Sequence, residues 1–170
     1  NRVKECALGM LDQVDKDWRL PSTARKWLLW AAELHEIGLS ITHHQFQKHG
    51  AYLVLHSDMA GFTSQGQELL AVLLKGHRRK FPLAGIEGLS VMVRQQARYL
   101  CLLLRLAAVL NNSRGAVELP EIECQGKADT LTLIFPKDWF KQHPLTQDDL
   151  RVEADYLKAA GLTLIVAEDT

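Results

Sequence analysis

The chain has 170 residues, with 20 Lys and Arg balanced by 20 Asp and Glu, which suits one medium domain or a domain with a small appendage and gives no reason to expect a nucleic-acid partner. Its longest apolar stretch, Tyr99 to Leu110, is interrupted by Arg105 and falls short of the roughly 20 residues that cross a bilayer, and no basic-then-apolar signal segment opens the chain. Cys6, Cys101 and Cys124 are odd in number and form no CxxC pair, which argues for a reducing compartment and against a thiolate metal site.

The pattern predicts an amphipathic helix over residues 3–18, ending before Pro21. Ser22 or Thr23 can cap a second helix running to Ile37 and stopped by Gly38. That helix is apolar almost all round (Trp27, Leu28, Leu29, Trp30, Ala31, Ala32, Leu34), the mark of a buried helix. A third is expected from His43 to Leu55, then a loop from Ser57 to Phe62. Ser64 with Gln67 reads as a capping box for a fourth helix reaching His77. Pro82, Gly85 and Gly88 mark a loop, and a long helix covers Ser90 to Asn111. Beyond Gly115 the texture changes. Val117–Gln125 and Thr130–Phe135 alternate like strands, with residues 126–129 as the turn. Thr146 with Asp149 reads as a cap for a helix to Ala160, and Leu162–Ala167 reads as a last strand. The expected architecture is α+β, mainly α: a helical domain over 1–115, then a small antiparallel sheet with one packed helix over 116–170. The chain opens inside a helical pattern, so it is expected to be the C-terminal part of a longer protein.

Charge is unevenly spread. Lys75 to Arg114 holds eight basic residues and one acid, Glu87, whereas Gly115 to Thr170 holds five basic and eleven acidic residues. Such concentration points to an anionic ligand at the basic segment. Arg94, Arg98 and Arg105, four and seven apart, fall within a narrow arc of one helix face. Their planar guanidiniums suit phosphate oxygens. With Lys48, His49, His77, Arg78, Arg79 and Lys80 they form the candidate anion-binding set. Arg105 interrupts an apolar run and needs an anionic partner, for which Glu36 or Glu33 could serve. A buried Glu–Arg pair joining two helices is the other reading of Arg105.

Leu34-His35-Glu36-Ile37-Gly38, His43-His44, Lys48-His49-Gly50-Ala51-Tyr52, Gly76-His77-Arg78-Arg79-Lys80 and Arg105-Leu106-Ala107-Ala108 follow one another in an order that resembles the HD phosphohydrolase layout. In that layout His and Asp residues hold metal ions that polarise a phosphoryl oxygen. Here the Asp beside the His is Glu36 and the late Asp falls at Ala108, so the resemblance implies a phosphate-handling scaffold without its metal chemistry.

The whole chain also resembles the C-terminal region of the exopolyphosphatase and guanosine pentaphosphate phosphatase family. The resemblance rests on the run Trp30 to Leu39, on His49-Gly50-Ala51-Tyr52-Leu53, on Ser57 to Phe62, on Leu104 to Asn112, and on Phe135-Pro136-Lys137-Asp138-Trp139-Phe140. It implies an enzyme whose two N-terminal domains have the actin-like ATPase fold and release terminal phosphate with magnesium. The present region would be an HD-like helical domain with a small α/β appendage. It would itself be non-catalytic, carry no cofactor, hold inorganic polyphosphate and support a homodimer. The expected location is the cytoplasm, or peripheral at the inner membrane. Three alternatives stay open: the corresponding part of a guanosine pentaphosphate phosphatase, an active HD-type phosphohydrolase, and a purely structural dimer-forming domain. Leu131, Ile134 and Trp139 are candidate interface positions, with core packing as the other role for each.

Overall fold

A computed structural model describes residues 2–35, 44–59, 61–112 and 118–170. Its helices form because apolar side chains recur at three- and four-residue spacing. In α1 (Arg2–Val14) the buried stripe is Ala7, Met10, Leu11 and Val14; in α2 (Ala24–Leu34) it is Ala24, Leu28, Ala31 and Ala32. Next come α3 (Phe46–His56) and α4 (Ser64–Gly76), packed side by side. The cap of α4 is Thr63, one residue before the expected Ser64: its extended backbone lets Oγ1 accept from Gly66 N at 3.0 Å. The stretch read as a loop at Pro82 contains a short helix, α5 (Leu83–Glu87), which Pro82 opens. At the centre lies α6 (Val91–Leu110), 20 residues or about 30 Å long. It is buried at nearly every position from Gln96 to Ala107 and packs against α1, α2, α4 and α5. No described helix is long and apolar enough to cross a membrane.

The second part opens with β1 (Glu123–Lys127) and β2 (Thr130–Phe135), antiparallel through a turn at Ala128 and Asp129. The strand expected from Val117 starts later; Pro120 has no N–H to give a ladder. After β2 come α7 (Trp139–Gln142), α8 (Pro144–Ala159) and β3 (Thr163–Glu168). Here the expected antiparallel sheet is corrected. The order is β1-β2-β3, with β3 parallel to β2 and Leu131 opposite Leu164. The cause is α8, which carries the chain back so that β3 re-enters in the direction of β2, as a strand–helix–strand crossover must. Its helix begins at Pro144, with His143 at the cap rather than Thr146; a proline in the first turn has no N–H to leave unpaired. Leu131, Leu133 and Phe135 point inward from β2, so Leu131 is a core residue.

The two parts share one core. Trp18 stacks on Tyr99 of α6, with ring centroids 4.1 Å apart. The Tyr99 hydroxyl donates to the Ala128 carbonyl at 3.0 Å. Gly126 of β1 lies so close beneath Trp18 that a Cβ there would come within 2.7 Å of the indole. Side chains from the α1 end also meet the outer edge of β1. Gln13 donates to Ile122 O at 3.0 Å and accepts from Cys124 N at 2.8 Å, and Asp17 accepts from Gly126 N at 3.1 Å.

Candidate functional site

The basic motif His77-Arg78-Arg79-Lys80 forms a bend directly after α4. Two features shape it. Gly76 ends α4 against Pro82, where a Cβ would come within 2.2 Å of the proline ring. Arg79 adopts the left-handed backbone region, φ 63°, which costs a residue with a Cβ roughly 1–2 kcal/mol. The exposed faces of this bend look into a groove of about 840 Å³. Lys48 of α3 and Lys75 of α4 line it together with Arg78, Arg79 and Lys80, and Glu87 is its one carboxylate. Among the described residues, none of these five cations makes an ion pair. Arg78 lies over the Phe46 ring at 4.7 Å. Partial burial, and then the charge of Arg79, hold the Arg78 guanidinium below its ordinary value. An anion placed among these cations would relieve that crowding.

Four of the nine expected anion-binding residues therefore meet at one groove: Lys48, Arg78, Arg79 and Lys80. The other five are placed elsewhere. His49, next to Lys48 on α3, does not line the groove. Arg94 folds back to donate to Leu89 O at 3.0 Å. Arg98 points toward the sheet, 3.6 Å from Asp129 Oδ1 and 3.5 Å from Ala160 O. Arg98 and Arg105 do lie on one arc of α6, but α8 buries Arg105 and the β1–β2 turn and the end of α8 partly cover Arg98.

Arg105 is fully buried. Its partner is Glu153 of α8: Nε donates to Oε2 at 2.7 Å and Nη2 to Oε1 at 2.9 Å. This corrects the expected pairing with Glu33 or Glu36. Glu33 instead meets Lys4 at 3.3 Å, and Glu36 lies outside the described residues. Two further donors of Arg105 go to main-chain carbonyls, Nη1 to Gly76 O at 2.6 Å and Nη2 to Arg79 O at 2.5 Å. Burial raises the Glu153 carboxyl above the ordinary value, and the hydrogen bonds and charge of Arg105 oppose the rise.

His77 is buried behind the bend. Its Nδ1 donates to Leu74 O at 2.6 Å, because a carbonyl can only accept. His35 likewise donates to Ala32 O at 2.5 Å, and the two rings lie edge to face at 5.4 Å. Burial, opposed by the hydrogen bond to Leu74 and reinforced by the charges of Arg78 and Arg105, pushes His77 down to about 4, so its ring is neutral at physiological pH. Both histidines open onto a smaller chamber of about 410 Å³, which also touches Arg78 and Arg79 and is lined by Ala108, Asn111, Asn112 and Tyr156. Among the described residues no three His, Cys, Asp or Glu side chains come together to hold a metal ion; Glu36 and His43 lie outside them. Asp149 and Glu153 also line this chamber, the Glu153 oxygens being taken by Arg105, and Ala108 offers it a methyl group. Burial also pushes the thiols up, Cys6 to about 11 and Cys101 and Cys124 to about 12, so none is a thiolate nucleophile at neutral pH.

Residues 1–154 match the family model described as Ppx/GppA phosphatase, domain III. The chain belongs to the Ppx/GppA phosphatase family. It corresponds to domain III, a C-terminal part of phosphatases that are hydrolases. The matched stretch of domain III takes in both Arg105 and Glu153, and so spans the helical part and α8 alike.

Two positions of the candidate site escaped the sequence reading. Lys75 sits in the basic stretch and one helical turn before Arg79, which was the available signal. Glu153 sits between Leu150 and Leu157 in the buried stripe of α8, a carboxylate at apolar spacing. Such a carboxylate asks for a buried cation just as Arg105 asks for an anion.

Proposed function

We propose that this domain III holds linear inorganic polyphosphate for a phosphatase that releases its terminal phosphate. One observation carries the reading: five cations without ion-pair partners among the described residues line one groove, against a single carboxylate. Polyphosphate is a flexible chain of repeated anions, so each phosphate adds a weak contact and several contacts together make release slow. The domain division at residue 115, the homodimer and the cytoplasmic setting belong to the same reading. So do separate catalytic domains with magnesium; the chemistry is theirs, and this region engages substrate.

The test is a titration with long-chain polyphosphate at two salt concentrations and no divalent metal. Five phosphate contacts give a slope of log K against log salt of about −3 to −4, on the scaling for flexible nucleic-acid strands. Replacing Arg78, Arg79 and Lys80 together by Ala is expected to weaken long polyphosphate far more than short. Equal losses for both lengths would sink the multivalent mechanism, and salt-insensitive binding would sink the groove.

A second reading has one observation in its favour. An apolar groove of about 490 Å³ adjoins the basic one, shares Lys48 and Lys75 with it, and displays Tyr52 at 62% exposure. An aromatic shelf beside a phosphate track suits a guanosine pentaphosphate as well as a bare chain. Competition between the two ligands in the intact enzyme decides between them.

A further inference from the structure

We infer that the buried Arg105–Glu153 pair is a positioning device for the cationic bend, holding Arg78, Arg79 and Lys80 in the array that meets successive phosphates. The inference rests on the reading of the groove as a polyphosphate site.

An ion pair joining α6 to α8 needs only the two hydrogen bonds between guanidinium and carboxylate. Arg105 makes two more, one to Gly76 O at the last turn of α4, where the bend begins, and one to Arg79 O within the bend itself. A single planar fork therefore takes hold of both sides of the Arg78 segment. Glu153 fixes the fork from the opposite side through Nε and Nη2, so the guanidinium has little freedom to turn.

The backbone shows what this hold secures. Arg79 has a left-handed conformation that its side chain disfavours, and such conformations persist where the surroundings over-determine them. Its carbonyl meets Arg105, while its own side chain lies exposed on the groove. The repulsion among Arg78, Arg79 and Lys80 pushes the bend to open. The Gly76–Pro82 contact closes its base, and Arg105 supplies the internal hydrogen bonds along it. Stability alone is a weak reason for a buried ion pair, since apolar side chains of similar size often serve equally well. Orientation of a loop is a task that apolar side chains cannot perform. Lysine would not replace Arg105 either, because one ammonium cannot serve a bidentate carboxylate and two carbonyls in these directions.

The experiment compares the protein with its Arg105→Lys and Glu153→Gln variants. Three quantities are read on each: amide hydrogen exchange of residues 77–81 without ligand, Kd for long polyphosphate at two salt concentrations, and the melting temperature. Both variants are expected to raise exchange across 77–81, to weaken binding by about tenfold, and to flatten the salt slope by about one contact. The deciding arm is the background in which Arg78, Arg79 and Lys80 are already Ala. There, Glu153→Gln is expected to leave Kd unchanged, because a positioning pair acts only through the cations it positions. The same loss in both backgrounds would overturn the inference, as would a lowered melting temperature with unchanged exchange and Kd. If Arg105→Lys does not fold, Glu153→Gln, which keeps the side chain's shape, carries the comparison. If the unaltered protein binds no polyphosphate, the groove reading fails, and the exchange arm alone then shows whether the pair still holds the bend.

Discussion

Arg98 and Arg105 on α6 and the cations around the end of α4 are neighbours in sequence and space, yet their charges are spent differently. On α6 each arginine is turned inward and met by protein: Asp129 and Ala160 O for Arg98, Glu153 and two carbonyls for Arg105. Around α4, Lys75, Arg78, Arg79 and Lys80 face a groove with Lys48 and meet no carboxylate partner among the described residues. A count of basic residues along the chain merges these two populations. What separates them is the cover over the α6 arc: the β1–β2 turn and α8 lie over it and bring their own acids. The inward charges are answered within the fold, and the outward ones have no carboxylate partner among the described residues.

The largest effect expected from this contrast lies in stability. Glu153→Ala strands a buried guanidinium and is expected to cost about 3–5 kcal/mol, read by urea denaturation. Lys75→Ala removes an exposed charge from the groove and is expected to stay within about 0.5 kcal/mol. Equal costs would erase the distinction between the two populations.

The next concerns the histidine behind the bend. His77 is held near 4 in the folded protein against an ordinary 6.5, so the unfolded chain binds its proton first. Between about pH 6.5 and pH 4 the unfolded state therefore carries more protons, and stability falls as pH falls, by up to roughly 3 kcal/mol. Above pH 6.5 this contribution is fully present. Denaturation at pH 7 and pH 4.5 should show the drop, and His77→Gln should shrink it. A drop of the same size in the variant would assign the acid sensitivity to other groups.

The smallest prediction sharpens the groove side. At the left-handed position of Arg79 a glycine is free of strain that an alanine keeps. Arg79→Gly should therefore be more stable than Arg79→Ala by about 1 kcal/mol in denaturation, although both lose the same charge.

Much of this could be read from the sequence. The stripe of α1, the long α6 and the inward Leu131, Leu133 and Phe135 follow from apolar periodicity, whereas α2, apolar almost all round in sequence, buries one stripe and leaves Trp27, Leu29, Trp30 and Leu34 partly exposed. The basic bend followed from composition. The parallel course of β3 was missed because the pattern of a strand does not say which way it runs; the length of α8 between β2 and β3 was the clue. For Arg105 the buried Glu–Arg pair joining two helices was legible but its partner Glu153 was not, and the fate of Arg98 was missed for a related reason. Helical spacing gives a shared face but not what covers it, and the cover comes from residues about 30 to 60 positions later. Glu36 and His43, central to the HD-like resemblance, lie outside the described residues.

Gln13 and Asp17 hold a consequence for assembly. By occupying Ile122 O, Cys124 N and Gly126 N they act as a short imitation of a fourth strand, so that side of the sheet is already closed to a newcomer. Thr163–Glu168 has β2 on one side, and among the described residues no strand lies on the other. Among the described residues the sheet is thus a ribbon with one margin sealed by side chains and one without a neighbouring strand, and the second is the direction from which a strand of another molecule could join.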